Sequence, residues 1–119
     1  MIQLKSFVSL ASLTALLAAC GSAALPLDKL SDAKSTVRAA QEAGAQNTPQ
    51  AQLHLKMAND ELASAQKAVD DNDGDRARLF LNQAQADADL SLTLARGSAD
   101  KQAAQAAQAK IVDLSKQAQ

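Results

Sequence analysis

Three places in this 119-residue chain hold side chains able to do chemistry: Cys20, the acidic stretch Asp70-Asp71-Asn72-Asp73-Gly74-Asp75, and His54. Cys20 is the only thiol, and as thiolate it is the strongest nucleophile the chain owns. The acidic stretch invites a calcium reading. An EF-hand loop needs an acid at its first position, Asp or Asn at the third and fifth, glycine at the sixth and glutamate at the twelfth. Setting Gly74 at the sixth puts Asp73 and Asp71 in register but leaves Val69 at the first position and Phe80 at the twelfth. With both end ligands missing, the stretch reads as a polar turn, with Gly74 supplying the unusual dihedral and Asp75 near a helix start. His54 has no second histidine with which to complete a zinc set, and reads as a surface or boundary residue beside Leu55. No nucleophile has a His or Lys arrangement resembling a triad, and no Gly-rich phosphate loop occurs. The sequence predicts no catalytic residues, no metal ligands and no cofactor, and therefore not an enzyme.

The elements that position these residues follow from apolar spacing. Pro26 suits the first turn of a helix running from about Leu27 to Ala43, whose face is Leu30, Ala33, Val37, Ala40 and Gly44. Gly44 or Asn47 can supply a left-handed stop. Thr48-Pro49 opens a second helix with an N-cap hydroxyl and a proline at the first helical position. Its seam is Ala51, Leu55, Ala58, Leu62, Ala65 and Val69, alternating by four and three. A third helix starts near Asp75 with the stripe Ala77, Leu81, Ala84 and Ala88, and with Leu79, Phe80, Leu92 and Ala95 nearby. Arg96-Gly97-Ser98 is a candidate break, after which Ala104, Ala107, Ile111, Leu114 and Ala118 resume a heptad seam. Alanines in the seams let helix backbones approach closely, and short connections make neighbours antiparallel. The expected fold is all-α: a narrow antiparallel three-helix arrangement with a long C-terminal helix, kinked at Gly97 if anywhere. The first two helices are too short to cover the third, so its end should project, fray or pair. No period of two predicts a strand.

Composition narrows the function classes. Formal charge is −1, and loss of residues 1–19 removes Lys5 and leaves 11 basic against 13 acidic residues, a net −2. Such a balance supplies no basic footprint for nucleic acid and no polybasic patch for anionic lipid. Apolar content is 47%, but much of it is alanine, which buries little area per residue. The core must be thin, and helix propensity must supply part of the order.

Residues 1–19 differ from the rest. Lys5 is their only charge, and an apolar run from Phe7 to Leu17 follows, as long as a signal-peptide core and too short to span a bilayer. Leu17-Ala18-Ala19-Cys20 resembles the lipobox of bacterial lipoproteins. That resemblance implies a signal peptide over 1–19, a diacylglyceryl thioether on Cys20, an acylated new amino terminus and a short tether over 20–26. Two or more acyl chains anchor stably, at about 0.8 kcal/mol per buried CH₂. In Gram-negative lipoproteins Asp after the cysteine commonly marks inner-membrane retention. Gly21 here implies an outer-membrane location facing the periplasm, if the source is Gram-negative.

From Leu27 to Arg96 the layout resembles the bacterial envelope family called domain of unknown function 4398. The residues that carry this are Ala33, Ala40, Gly44-Ala45, Pro49, Leu62-Ala63, Gly74-Asp75, Ala77, and Ala84 to Asp89. Members are often lipoproteins, and some carry an OmpA-like peptidoglycan-binding domain downstream, which this sequence is expected to lack. The resemblance implies an Ala-rich helical domain over 27–119 and an envelope location, without a reaction or a ligand. The expectation is a lipid-anchored structural or interaction lipoprotein. Its partners are the membrane, through lipid on Cys20, and an envelope protein or a second copy of itself. The alternative is a module binding peptidoglycan or a small ligand.

Overall fold

Leu30, Ala33, Val37 and Ala40 line the buried face of the first helix, α1 (Leu27–Glu42), as their spacing requires. The computed structural model describes residues 23–118, of which Ala23 to Pro26 precede α1 without regular secondary structure. Pro26 takes the N-cap position, its carbonyl accepting from Leu30 N at 3.1 Å. After Ala43 the chain turns at Gly44, whose φ of +81° lies in the left-handed region. An L side chain there would cost about 1 kcal/mol or more, so this is the left-handed stop. Asn47 instead closes a single 3₁₀ turn, Ala45–Asn47, which buries Ala45.

Helix α2 (Pro49–Asp70) has Pro49 in its first turn, where a missing N–H costs nothing. Thr48 is extended and occupies the N-cap, but its hydroxyl makes no cap bond; only its carbonyl engages, accepting from Gln52 N at 2.8 Å. The buried seam is Ala51, Leu55, Ala58, Leu62, Ala65 and Ala68. Val69, expected to end it, is half-buried. Ala68 takes its place because the following turn folds back over it, Asp73 N donating to the Ala68 carbonyl at 2.8 Å.

That turn departs from expectation in one respect. Asn72, not Gly74, takes the positive φ, at 57°. Asparagine is one of the few residues to tolerate it. Asp73 is the N-cap of the third helix, its side chain accepting from Arg76 N at 3.0 Å. Gly74 is already helical and buried, and its role is close approach: a Cβ there would meet the Ala23 carbonyl oxygen at 2.2 Å.

Helix α3 (Gly74–Gln117) runs through Gly97 without a break, for about 66 Å at 1.5 Å per residue. Its first half packs between α1 and α2 and leans mainly on α2. The buried seam is Ala77, Leu81, Ala84, Ala88, Ser91 and Ala95, again by four and three. The three helices run antiparallel in sequence order, so α1 and α3 are parallel, and Lys29 near the start of α1 reaches Asn82 of α3 at 2.9 Å. No strand occurs among the described residues.

Gly97 does not break the helix because strong helix formers surround it and it has no tertiary role. A Cβ there would meet nothing within 4 Å. Gly97→Ala should therefore stabilise the region by up to about 1 kcal/mol. Amide exchange over residues 98–105 should slow by about fivefold, and unchanged or faster exchange would contradict this.

Candidate functional site

Leu17, Ala18, Ala19 and Cys20 lie outside the described residues, so the expected acylation site has no geometry to report. The first described residues do have a place. The backbone of Ala23 rests against Gly74, beside the turn that joins α2 to α3. The amino-terminal side of the domain therefore lies at that end of the bundle.

The opposite end carries a single helix. From Ala99 onward every described residue is exposed, and the stretch from Ala99 to Gln117 projects about 28 Å as an arm with no neighbour among the described residues. Ile111 is 67% exposed and Leu114 54%. With Ala104 and Ala107 they form the seam expected beyond Gly97, which no described element covers. The same side of α3 continues toward the bundle through Gly97 and Leu90, since these positions follow one another by sevens. An apolar stripe on a free helix is the ordinary raw material of helix–helix recognition. The glutamines Gln102, Gln105, Gln108 and Gln117 are solvated.

The acidic stretch does not assemble an ion site. Asp73 caps α3 and Asp75 lies in its first turn, so these two carboxylates serve a helix start, whereas Asp70 at the end of α2 accepts from Gln66 Nε2 at 3.1 Å. Among the described residues no group of three His, Cys, Asp or Glu side chains is placed to hold a metal ion.

His54 is a boundary residue, but it has a partner that the sequence did not indicate. Its Nδ1 lies 2.6 Å from Asp87 Oδ1 on α3. Glu61, seven residues further along α2, belongs to the same side. Its Oε2 is buried with no hydrogen-bond partner. Burial first, then the charge of Asp87 and the hydrogen bond that a protonated Glu61 makes to it, hold the Glu61 carboxyl above the ordinary glutamate range, and Asp60 adds to the effect. Nearby, Ser91 is fully buried and donates its hydroxyl to the Ala51 carbonyl at 2.8 Å. Residues 33 or 40 positions apart carry no mutual signal in an apolar pattern, and a serine in a seam reads as an interruption. The only hints were positional: His54 and Glu61 share a helix side, and Ser91 continues the four-three step from Ala88.

One open groove lies between α1 and α2. It has a volume of about 420 Å³, an apolar floor of Val37 and Leu62, and a rim that includes Lys34 and Arg38. Two cations one turn apart over apolar surface favour a small organic anion.

Three helices seamed with alanine, the last of them prolonged into a single-helix arm, define an all-α helical-bundle domain. The chain belongs to the Domain of unknown function (DUF4398) family, whose model matches residues 28–109. The match runs past Arg96, where the sequence resemblance ended, and so includes most of the arm. No curated protein and no solved structure matches the chain significantly. No described helix is long and apolar enough to cross a membrane.

Proposed function

We propose that the protein is a lipid-anchored envelope lipoprotein whose bundle serves as a spacer and whose arm is offered to a partner in the envelope. The observation that carries this reading is polarity. Ala23 lies against Gly74 at one end of the bundle, and the uncovered arm leaves from the other. A chain anchored through lipid on Cys20 would present Ile111 and Leu114 at the far end from the bilayer. From Gly74 to Ala99, α3 covers about 37 Å before the arm begins. The outer membrane, facing the periplasm, is the location that Gly21 supports if the source is Gram-negative.

Two parts of the reading separate in one experiment. Cells expressing the parent and Cys20→Ala are labelled with a fatty-acid probe and fractionated, and a photocrosslinker is placed at Ile111. The parent should carry label, pellet with membranes and give a crosslinked product, whereas Cys20→Ala should carry no label. A Cys20→Ala chain that still takes label and pellets would refute the anchor. A parent with no crosslink at Ile111 would refute the arm as the contact.

The groove beside Lys34 and Arg38 favours a second reading, a module that binds peptidoglycan or a small ligand. It requires the protein to sediment with purified sacculi, and recovery in the supernatant would exclude the wall.

A further inference from the structure

Glu61 and Asp87 form an unusual pair for a helical seam. One sits on α2, the other on α3, and neither is matched by a lysine or arginine among the described residues. The groups that face the cluster from α2 are His54, which reaches Asp87, and Asp60, which is held by Lys56 at 2.6 Å. From α3 there is Asp87 itself. The α1 lysines are engaged elsewhere, Lys29 with Asn82 and Lys34 with Gln66. The interface between α2 and α3, the most extensive in the domain, thus contains two carboxylates and one imidazole.

The proton count of this cluster alters the contact. With Glu61 ionised, its buried Oε2 is an acceptor without a donor, beside a second carboxylate. With Glu61 protonated, the repulsion disappears and its O–H becomes a donor for Asp87. With His54 protonated, the bond to Asp87 becomes an ion pair, the stronger kind of hydrogen bond. Both protonations act in one direction. A carboxyl held above its ordinary range in the folded chain lends stability below that range, and the stability is lost as pH rises through the raised value.

We propose that His54, Glu61 and Asp87 form a proton-operated clasp that holds α3 against α2 more tightly at about pH 5 than at about pH 8. His54 is the only histidine in the chain. The clasp lies on the part of α3 that leads into the arm, and its tightening stiffens the base from which the arm projects.

The test is thermal unfolding of the full chain, followed by circular dichroism at about pH 8, 6.5 and 5. The parent Tm should rise on acidification by about 4 °C or more. Glu61→Gln keeps the shape and supplies a permanent donor, so at pH 8 it should melt above the parent. It should also show less than half of the parent's rise, and adding His54→Gln should remove most of the remainder. A parent Tm that does not rise between pH 8 and 5, or a Glu61→Gln variant that keeps the full rise, would overturn the clasp. Neither outcome depends on the lipid anchor.

Discussion

Leu81→Ala should lower the free energy of unfolding by about 3 kcal/mol or more, within the range for leucine truncation in a packed core. Leu81 is 1% exposed and is the largest hydrophobic side chain buried so completely. The layers on either side of it are built on Ala77 and Ala84, both fully buried. Helices separated only by alanine are already close to backbone contact, so they cannot move inward to fill the space that leucine leaves. The cavity therefore persists, and its cost adds to the lost transfer energy. A domain of this size has about 5–15 kcal/mol in all, so urea unfolding should show a large fall in midpoint with an unchanged slope. A loss below about 1 kcal/mol would mean that the seam can collapse and is not packed as described.

Ala84→Leu tests the same seam from the other side. Ala84 has no exposed surface, so three added carbons must push α3 away from its neighbours and open the adjacent alanine layers. The expected loss is about 1–3 kcal/mol, toward the upper end because several layers share one helix axis. Ala86 is on the exposed side of α3, and Ala86→Leu should change stability by no more than about 0.5 kcal/mol. Equal effects at the two positions, read from urea midpoints, would show that α3 does not pack through this face. Both variants act on the interface that sets the direction of the arm, so a destabilised seam should also weaken any contact made through Ile111.

Much of the architecture was legible locally. Val37 and Ala40 repeat at helical spacing, Gly44 can take a left-handed turn and Pro49 belongs in a first turn, and each statement needs only a few neighbouring residues. The alanine seam of α2 was read correctly up to Ala65 for the same reason. At its last turn the reading failed, because Ala68 is covered by the returning chain and Val69 is not. In the turn itself, Asn72 takes the positive φ, and Gly74 instead leaves the space that the Ala23 carbonyl occupies. A contact between residues 51 positions apart is invisible to local propensity.

The sequence by itself determined that residues 27–117 form helices, where these start and stop, and which sides are apolar. Those properties follow from backbone dihedral preferences and from a period of 3.6 residues. Only the tertiary structure decided which helix sides meet. It set His54 against Asp87, brought Glu61 beside that same carboxylate, and buried Ser91 with its hydroxyl on the Ala51 carbonyl. Those outcomes depend on the relative register and length of separate helices, which arise when side chains pack and which no single stretch of sequence encodes.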